Sequence, residues 1–188
     1  MKIYTKTGDL GETGLYGGRR VAKDSLRVTS IGNVDEVNAS IGRAMGSCSH
    51  VSREFLSNVQ RDLFKLGCDL ATPVEESVNA RLEGAFPKAL VRIEVTDVLK
   101  LEEKIDEVEE KLEPLRRFIM PGGSAAGSEL HLARTVARRA ERSVVLLAKA
   151  EKVNSEALVY LNRLSDLLFV LARFENKLSG AKEEEWVV

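Results

Sequence analysis

The first candidate for chemistry is a stretch rich in glycine and threonine at the start of the chain. Residues 1–24 contain five glycines, three threonines and five lysines or arginines. Glycines let backbone N–H groups converge on an anion, threonine hydroxyls add donors, and basic side chains add charge. The composition therefore predicts a phosphate-cradling loop, although neither G-x-x-x-x-G-K-[ST] nor G-x-G-x-x-G is present. A flexible polar arm is the alternative that composition leaves open.

The second candidate is an arginine-rich segment, Arg134 to Arg142. On a helix, Arg134, Arg138, Glu141 and Arg142 fall on one ridge, because they are spaced at i, i+4, i+7 and i+8. A guanidinium matches phosphate and carboxylate groups with a planar fork of donors. The ridge is thus a candidate anion site, and a solvated face with internal ion pairs is the alternative.

Two further segments combine polar or aromatic groups with a core-facing helix. Asn162, Ser165 and Asp166 are spaced at i, i+3 and i+4 beside a leucine stripe. An asparagine there either satisfies a structural hydrogen bond or contacts a ligand hydroxyl or base edge. The other segment, residues 118–124, ends in Pro-Gly-Gly-Ser, in which Pro-Gly-Gly allows a sharp turn and Ser124 is predicted to be the N-cap of the next helix. It leaves Phe118 on a connection, where an apolar ring could face a ligand.

Five stretches of helical periodicity must position these groups. They cover residues 26–44, 51–71, 94–113, 125–150 and 155–178. Amphipathic helices of this length predict an all-α, five-helix bundle, with strand signals confined to short pieces. We interpret residues 1–188 as a single domain, divided into an arm (1–24), the bundle (25–180) and a tail (181–188).

Composition limits the classes of function. The 28 basic and 29 acidic residues nearly balance, and 44% of residues are hydrophobic. These values indicate a soluble globular protein, exclude a collagen-like or disordered chain, and give no reason to expect nucleic acid or a membrane as partner. No apolar leader or spanning segment is evident, so we expect a cytoplasmic protein. Cys48 and Cys68 are expected to be reduced, and the distant His50 and His131 do not suggest a zinc site.

Five segments together resemble the PduO-type ATP:corrinoid adenosyltransferases. They occur in the family's order and cover nearly the whole chain, whereas residues 72–93 and 183–188 match no motif. The matching segments are Tyr4–Asp9, Gly32-x-x-Asp35-Glu36-x-Asn38, Phe118-x-x-Pro121-Gly122-Gly123, Arg134–Arg142 and Tyr160–Asp166.

The resemblance implies a homotrimer of five-helix bundles with active sites between subunits. It also implies a reaction in which cobalt(I) of a reduced corrinoid such as cobalamin attacks the 5′ carbon of ATP, with Mg²⁺ accompanying the nucleotide. Cobalt(I) is itself the nucleophile, so no catalytic triad is expected, and the protein supplies orientation and charge.

The resemblance further implies roles for particular residues. Phe118 is expected against the lower corrin face, where it displaces the axial ligand, and Asp35 is expected to pair with Arg134 across the subunit boundary. The groups expected to bind ATP are Thr5, Lys6, Thr7, Gly8, Thr13, Gly14, Lys23, Arg138, Arg139, Ala140, Glu141, Arg142 and Asn162. Of these, Arg138 and Lys23 are expected to stabilise the leaving triphosphate. No metal ligand is assigned.

Two other hypotheses remain open from the sequence. One is a non-catalytic ATP-binding regulator built on the same bundle, and the other is a purely structural helical oligomer. For the enzyme, the expected partners are a flavoprotein reductase that supplies the electron and an adenosylcobalamin-dependent enzyme that accepts the product.

Overall fold

The computed structural model describes residues 2–16, 18–74 and 91–187. Within them lie five helices: α1 (Leu26–Met45), α2 (His50–Leu70), α3 (Val95–Glu109), α4 (Ala125–Ala150) and α5 (Ser155–Ser179). Two short strands, β1 (Glu12–Gly14) and β2 (Arg20–Ala22), form an antiparallel pair in the arm, with Glu12 opposite Ala22. The predicted all-α, five-helix architecture is confirmed. Residues 75–90, most of the segment 72–93 for which the sequence analysis found no motif, lie outside the described residues.

The bundle is organised around α4 and α5. Helix α4 packs against both α1 and α5, while α2 packs on α1 and α3 packs on α5. The core consists mainly of leucine, valine and alanine side chains from all five helices, and it includes the fully buried Tyr160. Among the described residues, no helix combines the length and the apolar character that crossing a membrane requires.

The helix starts follow local sequence signals. Ser25, Ser49, Ser124 and Asn154 each accept a hydrogen bond from a backbone N–H of the first turn. This satisfies a donor that the start of a helix otherwise leaves unpaired. The predicted N-cap at Ser124 is confirmed, since its Oγ accepts from the N–H of Gly127 at 3.0 Å.

The third helix ends earlier than its periodicity predicted. We expected it to continue to residue 113, but it ends at Glu109. Pro114 disfavours helical backbone at Glu113. After Glu110 the N–H groups of Lys111 and Leu112 bond to carbonyls three residues back, as in a turn. The carbonyls of Lys111 and Glu113 accept hydrogen bonds from side chains of α5.

A buried carboxylate joins three parts of the chain near the start of α3. Asp69, 2% exposed, is bonded by the guanidinium of Arg92, by the N–H of Ile93 at 3.0 Å and by the amide of Asn154 at 2.7 Å. The end of α2, residues 92–93 and the start of α5 are therefore held at one point.

Candidate functional site

The N-terminal arm is folded upon itself. The strand pair brings β2 back beside the first residues, so that Arg20 donates to the carbonyl of Thr7 at 2.6 Å. The N–H of Lys23 donates to the carbonyl of Gly11 at 2.8 Å. A Cβ placed on Gly8 would lie 3.1 Å from the Nζ of Lys23, so glycine allows the ammonium group to approach the backbone closely. The structure thus gathers a lysine and the backbone of residues 5–8, two of the predicted phosphate-binding elements.

Backbone conformation within residues 5–8 is unusual. Lys6 has a φ of 62°, in the left-handed region that residues other than glycine rarely occupy. Beside it, the hydroxyls of Thr5 and Thr7 are 2.9 Å apart. Further along the arm, Thr13 and Gly14 lie in β1 opposite Val21 and Arg20. The arm is fastened to the bundle by Leu15, which is buried, and by a bond from the N–H of Tyr16 to the carbonyl of Ala71 at 3.2 Å.

Two arginines of the predicted ridge line a cavity of about 280 Å³ where α3, α4 and α5 meet. Its lining consists of Ile105, Glu109, Arg134, Arg138, Ser165, Asp166, Phe169 and Val170. The Nε of Arg134 is buried and has no hydrogen-bond partner among the described residues. Burial, and then the charge of Arg138, lower the pKa of Arg134. The cavity also holds the carboxylates of Glu109 and Asp166, and Asp166 is paired with Arg163. The buried unpaired donor of Arg134, one turn from Arg138, makes these two arginines the candidates for binding an anion here.

The remaining ridge residues differ in their surroundings. Glu141 accepts a hydrogen bond from the side-chain amide of Asn162 at 3.0 Å, so two predicted nucleotide contacts are adjacent across α4 and α5. Arg139 forms an ion pair with Glu36 of α1, and Arg142 is exposed. Ala140 is fully buried in the core, so its side chain does not lie with the exposed members of the ridge.

Asp35 lies on a different surface from Arg134. It lines a groove of about 380 Å³ between α1 and α2, which also includes Phe64, 68% exposed. The Oδ1 of Asn38, another lining residue, is buried without a partner among the described residues. Because Asp35 and Arg134 line separate cavities, the predicted pair would have to join two copies of the chain.

Phe118 projects from the connection between α3 and α4 and is 81% exposed. Its backbone pairs with the C-terminal tail through an antiparallel bridge between Ile119 and Glu185. The N–H of Met120 donates to the carbonyl of Glu184 at 2.7 Å, and the N–H of Trp186 donates to the carbonyl of Phe118 at 2.8 Å. Sequence reasoning assigned the tail no role. The signal that could have indicated one was Trp186, the chain's one tryptophan, which is two residues from the end of the sequence.

His131 is a second residue whose surroundings the sequence analysis missed. It is 3% exposed, its ring lies 5.8 Å from that of Phe169, and neither ring nitrogen has a partner among the described residues. Burial, and then the charge of Arg134, lower the pKa of His131 to about 4. The imidazole is therefore neutral at pH 7. Its position one turn before Arg134 was the signal that could have drawn attention to it.

In the part of the chain that the structure describes, no group of three or more His, Cys, Asp or Glu side chains could hold a metal ion. Mg²⁺ commonly binds nucleotide phosphates while using only one or two protein carboxylates.

Comparison with known proteins decides the family. A family model described as cobalamin adenosyltransferase matches residues 3–175. The chain belongs to the cobalamin adenosyltransferase family. The resemblance noted in the sequence is thereby confirmed.

Named relatives of this adenosyltransferase-family chain match along most of its length. The corrinoid adenosyltransferase of Bacillus subtilis (strain 168) is 44% identical over 192 aligned residues, which cover 99% of this chain and 92% of the relative. The corrinoid adenosyltransferase MMAB of Bos taurus is 39% identical and is matched over 97% of this chain and 75% of its own.

A solved structure of a family member superposes closely. It is a phenylalanine-to-alanine variant of a PduO-type ATP:corrinoid adenosyltransferase from Lactobacillus reuteri, complexed with cobalamin and ATP. The TM-score is 0.89 and the identity 35%, with all of both chains covered. An arginine-to-lysine variant of that type from the same organism, complexed with ATP, gives a TM-score of 0.87 at 34% identity and covers 98% of this chain and all of its own.

Proposed function

We propose that this protein is an ATP:cob(I)alamin adenosyltransferase. The cobalt of reduced cobalamin, the substrate, supplies both electrons of a new bond to the 5′ carbon of ATP. The bond from that carbon to oxygen breaks, and triphosphate leaves with its electron pair. The observation that carries the proposal is the cavity where Arg134 and Arg138 meet, in a chain of the same fold as a family member complexed with cobalamin and ATP.

Negative charge accumulates on the triphosphate as the carbon–oxygen bond breaks. Donors fixed in advance around that group lower the barrier, because they need not reorganise during the reaction. We assign this role to Arg138 and Lys23, with the backbone of residues 5–8 and the Thr13–Gly14 strand. Asn162 and Glu141, already bonded to each other, are assigned to the nucleoside part, and Arg139 and Arg142 to its surroundings. Mg²⁺ would accompany ATP and neutralise part of the phosphate charge.

We also propose that the active protein is a homotrimer whose sites lie between subunits. Arg134 has a buried donor without an acceptor, and Asp35 is an exposed carboxylate in a groove lined by the exposed ring of Phe64. A contact between these two surfaces on neighbouring copies would satisfy the donor and cover the ring. It would also bring the arm of one copy towards the ridge of another.

Phe118 is assigned to the lower face of the corrin ring. A ring left 81% exposed on a backbone held by two hydrogen bonds can pack against a flat ligand with little rearrangement. Displacing the lower axial ligand would make cobalt easier to reduce. A flavoprotein reductase as electron donor and an adenosylcobalamin-dependent enzyme as product acceptor complete the proposed partners.

The test is an anaerobic assay with ATP and chemically reduced cobalamin. The expected result is loss of the cobalt(I) absorbance with formation of adenosylcobalamin, and no loss when ATP is omitted. ATP binding without loss of cobalt(I) would instead support a regulator on the same fold. Absence of ATP binding would leave the structural oligomer as the better account.

A further inference from the structure

The connection that carries Phe118 is held by side chains at the end of α5. Lys177 donates to the carbonyl of Lys111 at 2.5 Å, and Arg173 donates to the carbonyl of Glu113 at 2.8 Å. Both bonds hold the side of the connection that follows α3. This side has no helix or strand pairing of its own before residue 119.

The other side of the connection is fixed by Asn176, which is 2% exposed. Its amide donates to the carbonyl of Gly122 at 2.9 Å, and its Oδ1 accepts from the N–H and the hydroxyl of Ser124, both at 2.8 Å. Gly123 has a φ of 104°, and a Cβ there would lie 2.4 Å from the amide of Asn176. The turn before α4 can therefore approach α5 this closely only with glycine at that position.

Arg173 also holds the C-terminal tail. Its Nε donates to the carboxylate of Glu183, at 3.2 and 3.1 Å from the two oxygens, while the same guanidinium uses another nitrogen for Glu113. The Arg173 side chain is only 7% exposed. Residues 184–186 then pair with residues 118–120. One buried guanidinium thus joins the two chain segments that form the bridge beneath Phe118.

We propose that Arg173 is a positioning residue for Phe118. By binding Glu113 and Glu183 together, it docks the tail against the connection and fixes the direction of the Phe118 ring. The inference rests on the proposed function only for what Phe118 touches, since the docking itself belongs to this chain alone. A lysine offers one point charge on a flexible stem, so it cannot hold both partners in a fixed fork as arginine does.

The experiment compares three variants by the fluorescence of Trp186, the chain's one tryptophan. Glu183→Ala removes the tail's partner while keeping Arg173 and its bond to Glu113. Glu184→Ala is the matched control for tail docking, because it truncates the neighbouring glutamate, whose side chain has no ion-pair partner among the described residues. Arg173→Lys keeps the buried charge but not the fork.

Acrylamide quenching and amide hydrogen exchange report docking without any substrate. Trp186 is 51% exposed when docked, so its release in Glu183→Ala and Arg173→Lys should raise quenching about twofold and speed exchange at the Met120 and Trp186 amides. Glu184→Ala should match the wild type in both measurements. Unchanged quenching and exchange in Glu183→Ala would overturn the proposal. Exchange that rises equally throughout α4 and α5 would also overturn it, since Arg173 would then only stabilise the fold.

The kinetic readout separates positioning from general loss of activity. Misplacing Phe118 should lower turnover from cobalt(II) by about tenfold or more, with a smaller loss when cobalt(I) is supplied and no change in the KM for ATP. Equal losses on both routes would contradict a role through Phe118. If the wild type itself makes no adenosylcobalamin, the proposed function fails, while quenching and exchange still decide whether Arg173 docks the tail.

Discussion

Replacing Phe118 by alanine should impair reduction of cobalt on the protein while leaving the fold intact. A buried Phe→Ala change costs ~3–5 kcal/mol, and Phe118 is 81% exposed, so about a fifth of that cost, ~0.6–1 kcal/mol, is expected. The matched control is Phe174→Ala in α5, where the ring is 9% exposed and the full ~3–5 kcal/mol should be lost.

The assay pairs denaturant unfolding with spectroscopy of cobalt(II)alamin bound in the presence of ATP. Phe118→Ala should unfold close to the wild type and bind ATP with unchanged affinity, because its ring lies outside the arginine cavity. The optical or EPR signature of four-coordinate cobalt(II) should be lost, and turnover should fall more from cobalt(II) than from cobalt(I).

Two results would refute this reasoning. A loss of stability in Phe118→Ala as large as that in Phe174→Ala would show that the ring packs into the fold in solution. A variant that unfolds normally and retains the full four-coordinate signal would remove Phe118 from the corrin site.

Three further predictions concern Arg138, Asp35 and His131. Arg138→Ala should lower kcat about 100-fold, because losing one donor to the transition state costs ~3 kcal/mol. The control, Lys149→Ala on the same helix, should leave kcat unchanged. Equal kcat values in the two variants would contradict the assignment. Asp35→Ala should weaken both trimer and activity, because removing one partner from a desolvated ion pair costs ~3–5 kcal/mol. An unchanged trimer in sedimentation, together with unchanged kinetics, would refute this prediction. His131, with its pKa lowered to about 4, is expected to reduce stability as the pH falls from 6.5 to 4, because the unfolded chain takes up the proton first. In urea unfolding, the free energy of unfolding of the wild type should fall by up to about 3 kcal/mol more over this pH range than that of His131→Leu. An identical pH dependence in both proteins would exclude His131 as its source.

The sequence was sufficient for the helices because periodicity and caps are local. Ser124 follows Pro-Gly-Gly, a pattern typical of the start of a helix, and its side chain caps α4 in the structure. The end of α3 could not be read from periodicity, because Leu112 continues the apolar pattern and packs against the core after the helix has ended. Side chains of α5 hold the carbonyls of Lys111 and Glu113 in this segment. Contacts of this kind depend on how distant parts of the chain pack.

The structure brings some of the predicted site residues together but leaves others apart. The spacing places Arg134 and Arg138 on one helix face, and both line the same cavity. The Asn162–Glu141 contact joins two residues that the sequence analysis singled out separately. The bridge between Ile119 and Glu185 was missed because it pairs segments that are remote in sequence and carry no strand pattern. The proposed role of Asp35 cannot be tested within a single chain, because its proposed partner, Arg134, would come from another copy.

The most direct test of the proposed activity is the stoichiometry of its products. Under anaerobic conditions with excess ATP and a limiting amount of cob(I)alamin, adenosylcobalamin and triphosphate should accumulate in equal amounts, both in proportion to the cobalt(I) consumed. Adenosylcobalamin would be followed by its absorbance and triphosphate by phosphorus NMR. Release of ADP and phosphate in place of triphosphate, or persistence of cobalt(I) beside bound ATP, would contradict the account.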